Sequence, residues 1–225
     1  MRDPTPLTDG AAQRLQEAAD AAANTVELSF EITGRTLPQD HRAALADALL
    51  STLPWLADEP TVAVHPLRAP VGEAGQLLLP RRARLLLRLP RQRVEDAREL
   101  CGQTLQVADQ SLQVGACAAP RELLATRTLH ADFVCWDAPL AGFEAFTNAA
   151  LTELGIESPW MSGGQRQALG PDGQTWLHGR ALLLHDLPHR HALALQVIGL
   201  GPHRLLGCGL FKPHKLITGL SSEDD

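Results

Sequence analysis

The chain has 225 residues, 44% of them hydrophobic, enough for one large core or two small ones. Nothing in it approaches the roughly 20 apolar residues of a membrane span, and the N-terminus MRDPTPLTDG lacks the basic-then-apolar pattern of a secretory leader, so a cytoplasmic protein is expected. The formal net charge of −6 argues against a polyanion partner only if it is evenly spread, and it is not: acids crowd residues 1–24 and the tail Glu223–Asp225, whereas no acid occurs from Leu187 to Ser222.

In chain order, residues 1–24 are Ala-rich and polar and read as a tail or frayed helix. NTVELSFEITG (24–34) places Val26, Leu28, Phe30 and Ile32 on one face of a strand. LPQDHRAALADALLSTLPWL (37–56) carries Ala44, Leu45, Ala48, Leu49 and Leu53 at helical spacing until Pro54 stops it. TVAVHPL (61–67) and ARLLLRLP (83–90) are strands, RQRVEDARELCGQ (91–103) is a helix, and QSLQVGACA (110–118) alternates again. That order is β-α-β-β-α-β, the ferredoxin-like unit.

After a linker over 119–128 the order repeats. LHADFVCWD (129–137) is a strand and PLAGFEAFTNAALTELGI (139–156) a helix. QRQALG and RALLLHDL pair across the PDGQ turn, HRHALALQVIGLG is a helix, and LLGCGLF is a last strand. The fold expected is α+β: two tandem ferredoxin-like domains over 25–118 and 129–215, followed by an acidic tail over 216–225.

Cys101, Cys117, Cys135 and Cys208 stand singly, without CxxC spacing, and are expected as small buried hydrophobes rather than zinc ligands or disulfides. His185, Asp186, His189 and His191 are close in sequence, but Pro188 breaks the helical pairing of His185 with His189, so no metal is expected. Two segments are basic. Residues 81–98 hold Arg81, Arg82, Arg84, Arg88, Arg91, Arg93 and Arg98 against Glu95 and Asp96. Arg82, Arg84 and Arg88 share strand parity, and guanidinium forks along one face suit the phosphates of an RNA stem. The absence of tyrosine argues against base stacking on a sheet. The second segment, GLGPHRLLGCGLFKPHK (199–215), combines Gly199, Gly201, Gly207 and Gly209 with His203, Arg204, Lys212, His214 and Lys215. A helix precedes these glycines, so they are not a dinucleotide fingerprint. Glycines there permit positive φ and a close backbone approach, with N–H groups free to hold phosphates.

With that glycine pattern, the two expected domains and the segments LPQDHRAALADALLSTLPWL, VAVHPLRAP, LLLPRRARLLLRLPRQRVEDARELCGQTLQV and LHADFVCWD, the chain resembles the Cas-six family of CRISPR repeat endoribonucleases, in its compact subgroup labelled MYXAN. The match spans about residues 25–215. The resemblance implies metal-independent, cofactor-free cutting of CRISPR repeat RNA, in hairpin form, into guide RNAs with 2′,3′-cyclic phosphate and 5′-hydroxyl ends. Some relatives stay on the guide as a subunit of an interference complex. The resemblance also implies a catalytic histidine in or beside the first long helix, where His41 stands, with His65 in reserve and Lys212 or Lys215 stabilising the phosphorane. The basic segments, including Gly199, Gly201, His203, Arg204, Gly207 and Gly209, would then lie along the RNA. The alternative is a non-catalytic RNA-binding subunit of the same fold, with His41 structural.

Overall fold

The computed structural model describes residues 9–72, 75–136 and 142–214. Strand β1 (Thr25–Thr33) buries Val26, Leu28, Phe30 and Ile32 on one side, as its alternation demands. It is followed by the short β2 (Thr36–Pro38) and helix α2 (Arg42–Thr52), which turns Leu45 and Leu49 onto that face. Strands β3 (Ala63–Val64), β4 (Gln76–Leu78) and β5 (Arg84–Pro90) come next. The 91–100 segment is helical in three short pieces around α3 (Val94–Ala97), and β6 (Thr104–Val107) and β7 (Gln110–Cys117) form a hairpin. The sheet runs β3-β5-β1-β7-β6. Its first four members, taken by their place in the βαββαβ unit, are strands 2-3-1-4, the ferredoxin-like order with one added edge strand.

The second half repeats this order more cleanly. Strand β9 (Leu129–Cys135), helix α4 (Phe143–Glu153), the long hairpin β10 (Trp160–Leu169) and β11 (Trp176–Leu184), helix α5 (His189–Ile198) and strand β12 (Phe211–Pro213) give the sheet β10-β11-β9-β12, again 2-3-1-4. Each domain has its own core. A smaller apolar seam of Ala46, Phe133, Cys135, Leu206 and Cys208 joins them.

Four expectations are corrected here. The N-terminal segment is no tail: α1 (Asp9–Ala21) buries Ala11, Leu15 and Ala18 against α5, and Arg14 donates to the Glu153 carbonyl at 3.1 Å, so it belongs to the second domain. The linker contains β8 (Arg121–Glu122), which pairs with β1. The last strand starts at Phe211 rather than Leu205, because Gly207 and Gly209 adopt left-handed backbone that no strand accommodates. Cys101 is exposed, not buried. Among the described residues no helix is long and apolar enough to cross a membrane.

Candidate nucleic-acid interface

Charged and titratable side chains gather where β9 and β12 pair. Leu129, Ala131 and Phe211 point into the second core, so their neighbours His130, Asp132 and Lys212 point the other way, toward the first domain. Lys212 lies opposite His130 in the ladder. His214 continues it, its N–H donating to the Thr128 carbonyl at 3.0 Å, which puts the His214 ring on the same face. The two imidazole centroids are 5.6 Å apart, with ring planes tilted 41°.

Asp132 organises this face. Its Oδ2 accepts from Lys212 Nζ at 2.5 Å and also from Arg68, which reaches over from the first domain. Its Oδ1 is 3.3 Å from His130 Nδ1. One carboxylate therefore serves two full cations and an imidazole, leaving the group net positive. Burial and the nearby Arg68 push the Lys212 ammonium down to about 8, although Glu27 works to keep the charge. Burial, followed by Lys212, His214, Arg68 and Arg166, likewise lowers the His130 pKa and favours the neutral ring.

Beside this face lies an open cleft of ≈ 590 Å³ lined by Glu27, Ser29, His65, Arg68, Arg121 and Lys212. Its floor is an ion pair. Arg88, 0% exposed, donates to Glu27 Oε1 at 2.7 Å and across the domain boundary to the Gln196 carbonyl at 2.6 Å. His65 Nε2 lies 3.3 Å from the same Glu27 oxygen. Burial alone would raise the Glu27 pKa; His65 and Arg88 outweigh it and hold the carboxyl at about 2.

Several residues expected at the RNA lie elsewhere. His41 caps α2 but is only 2% exposed. Its Nε2 accepts the Leu67 N–H at 3.1 Å, while Nδ1 lies 3.2 Å from the Pro38 and Gln39 carbonyls. Both nitrogens are thus committed to backbone, with the proton on Nδ1. Burial lowers its pKa further. This is a neutral ring that holds the 65–67 turn, with no open nitrogen for RNA. Arg88 is corrected for the same reason: its fork is spent on Glu27 and Gln196.

Arg204, half-buried, is spent as well, donating to the Ile198 carbonyl at 2.5 Å and to the Thr61 carbonyl at 3.0 Å. The second half of the glycine loop turns its N–H groups inward. Gly209 N–H bonds the Phe133 carbonyl (2.8 Å), Cys208 N–H the His203 carbonyl (3.2 Å) and Gly207 N–H the Arg204 carbonyl (2.9 Å). Gly207 (φ 76°) is pressed on the first domain, where a Cβ would sit 2.5 Å from Pro66 Cδ and 2.8 Å from the Val64 carbonyl. A Cβ on Gly209 would overlap the Leu200 backbone. Gly199 and Gly201 face Arg204 and the Cys135 carbonyl in the same wedge, and His203, half-buried, starts its 3₁₀ turn in left-handed backbone. The loop locks the two domains together.

The basic stretch of 81–98 is largely neutralised. Arg84 pairs with Glu31 at 2.8 Å, Arg91 with Glu122 at 3.0 Å, and Arg93 with Glu59 and Asp96 at 2.8 Å each while lying over Trp55. Arg81 and Arg82 sit exposed in the turn before β5, without an ion pair among the described residues. Lys215 lies outside the described residues. His185 bonds Asp186 at 3.0 Å, and no group of three or more His, Cys, Asp or Glu among the described residues is arranged to hold a metal.

Sequence reasoning passed over Arg68, His130 and Asp132. The signal was present in LHADFVC, where two polar residues two apart interrupt an otherwise apolar strand.

A family model described as Cas6 Crispr matches residues 26–216. The CRISPR-associated endonuclease Cas6 of Myxococcus xanthus (strain DK1622) is 33% identical over 190 residues, covering 84% of this chain and 81% of that protein. Among solved structures, the product of a Cas6-related gene from Pyrococcus furiosus superposes with a TM-score of 0.62 at 11% identity, over 84% of this chain and 98% of that one. A CRISPR associated protein Cas6 superposes with a TM-score of 0.60 at 10% identity, over 85% and 100%. At those identities the structural likeness speaks for the fold.

Proposed function

Because this chain belongs to the Cas6 family, we propose that it is an endoribonuclease that binds CRISPR repeat RNA in the precursor transcript and cuts it into guide RNAs. The observation that carries the reading at this site is the Asp132 group: Lys212 and Arg68 converge on one carboxylate at the mouth of an open interdomain cleft. Two converging cations in a partly desolvated cleft suit a phosphodiester, whose charge grows as it becomes a phosphorane. The RNA supplies its own nucleophile, the 2′-hydroxyl, so the protein has to move protons and hold the phosphate. The products are a 2′,3′-cyclic phosphate and a 5′-hydroxyl, with no metal or cofactor required. Arg81 and Arg82, with the exposed Arg84 and Arg91, extend the cationic surface along a hairpin stem. After cutting, the protein stays on the guide as a subunit of an interference complex.

The burial of His41 favours a second reading, a repeat-binding subunit without catalysis. End-labelled repeat RNA incubated with the protein in EDTA separates the two. Cutting, with 5′-hydroxyl product ends, supports the nuclease. Binding without cutting supports the second reading, and cutting only after a divalent metal is restored overturns the proposed chemistry.

A further inference from the structure

The cleavage reaction needs one group to take the 2′-hydroxyl proton and one to give a proton to the 5′-oxygen, on opposite sides of the phosphorus. His41 has no open nitrogen, and the His65 side chain, on the cleft wall but only 11% exposed, has its Nε2 turned to Glu27 at 3.3 Å. His130 and His214 face the cleft side of the second sheet with Lys212 next to both, opposite His130 in the ladder and two residues from His214. Their ring centroids stand 5.6 Å apart with no hydrogen bond between them among the described residues, near enough to bracket one phosphate.

His130 is the better oriented of the two. Asp132 Oδ1 lies 3.3 Å from its Nδ1, which turns that edge of the ring toward the carboxylate and leaves Nε2 without a hydrogen-bond partner among the described residues. Its side chain is 26% exposed, enough for contact with a strand laid in the cleft. The His214 ring is exposed.

We propose that His130 and His214 are the proton-transfer pair of the cut, with Lys212 and Arg68 on the scissile phosphate and Asp132 as the positioning residue for His130 and Lys212. The proposal rests on the reading of the chain as a repeat endoribonuclease. His130 Nε2 takes the 2′-hydroxyl proton, the 2′-oxygen forms its bond to phosphorus, and the bond from phosphorus to the 5′-oxygen breaks. His214 delivers a proton to that leaving oxygen, and exchange with water resets both rings. Charge balances at each stage: one proton leaves the RNA at the 2′ side and one returns at the 5′ side.

The test is single-turnover cleavage of labelled repeat RNA by the wild type, His130→Ala, His214→Ala and His41→Ala, with RNA affinity and melting temperature measured alongside. His130→Gln and His214→Gln are carried as well, since glutamine preserves volume and a hydrogen bond if alanine loosens the strand. A proton shuttle is worth about 10²–10⁴-fold, so each His130 or His214 variant should lose that much rate while binding within about threefold of wild type. The roles separate on a substrate with sulfur in place of the 5′-bridging oxygen, because a thiolate leaves without protonation. That substrate should restore His214→Ala and leave His130→Ala slow. Wild-type rates in His130→Gln or His214→Gln overturn the pair while the nuclease reading stands, and a wild type that binds repeat RNA without cutting it overturns both.

Discussion

The glycine loop runs directly into Lys212 and His214 of the Asp132 group, yet the two behave in opposite ways. The loop has every local mark of a phosphate site, yet the N–H groups of Gly199, Leu200, Gly207, Cys208 and Gly209 and the Arg204 fork are consumed by carbonyls of the protein itself. The Asp132 group has only a faint local mark, the two polar residues in LHADFVC, since Arg68, His130, Asp132, Lys212 and His214 come from three separate segments. It nevertheless gathers positive charge onto one carboxylate and leaves imidazole edges open. The difference teaches that a polar or glycine-rich motif is a site only to the extent that its donors remain unspent after folding.

The sharpest way to break the comparison is Gly207→Val with Gly209→Val. Both positions have left-handed φ and both Cβ positions fall on backbone, so the double variant should lose about 4 kcal/mol or more of stability. Thermal melting reads it. A normal melting temperature with lost RNA affinity would return the loop to the RNA.

Next in size is Glu27→Gln, which leaves the fully buried Arg88 without its counter-charge and should cost about 3–5 kcal/mol. The same pair predicts an acid limb. The folded pKa of about 2 lies below the 4.5 of a free glutamate, so the stabilisation is full above 4.5 and disappears as pH falls through 2. It amounts to about 3 kcal/mol, and denaturant unfolding of the wild type between pH 5 and 2 should show a loss that Glu27→Gln lacks.

His41→Ala is the intermediate case. It deprives the Leu67 N–H of its acceptor and opens a small cavity, for about 1–3 kcal/mol. Under the assignment made above it should still cut at temperatures where it remains folded. Loss of cutting at unchanged melting temperature would move the proton shuttle from His130 back to His41.

The fold was legible because it is written in periods. Alternation in β1 and β5 and the helical spacing of Leu45 and Leu49 are local consequences of which face meets the core, and both domains follow from them. The docking of α1 was missed because its inward face is mostly alanine, a weak signal until α5 supplies a partner. The site was much less legible. Arg88 looked like its neighbours Arg84 and Arg82 in a strand of matched parity, and only the sheet register shows Glu27 beneath it. The net charge of 81–98 was overcounted for a related reason: Glu31, Glu59 and Glu122 arrive from other elements to neutralise it.

Smaller, and specific to the Asp132 group, is a pH effect. His130 must be neutral to act as base, so the rate should rise with pH through its titration. Lys212 must be charged, so the rate should fall above pH 8 or so. Lys212→Arg should flatten that fall. Asp132→Asn removes the carboxylate in contact with His130, Lys212 and Arg68, leaving Glu27 as the remaining acid near Lys212, with the cations Arg42, Arg88 and Arg166 also in range. Both limbs should then move to lower pH. An unshifted profile would make Asp132 a packing residue only.

The smallest expected effect concerns the exposed arginines and divides them by whether their forks are spent. Arg81 and Arg82 have no ion pair among the described residues, so each is available to displace a counterion from a phosphate. Replacing either with Gln should lower the slope of log affinity against log salt by about one. Arg91 must first give up Glu122, and Arg84 must give up Glu31; exposed pairs of that kind are worth only about 0–1 kcal/mol, so RNA competes for them at a modest disadvantage. Their Gln variants should change the slope by less than Arg81→Gln does. Arg88→Gln should leave the slope of the remaining folded protein where it was, because that guanidinium has no exposed surface. Measured on one hairpin repeat over a single salt series, a slope that falls equally for all five would mean that RNA strips the ion pairs, and that the buried and exposed arginines do not differ as the structure says they do.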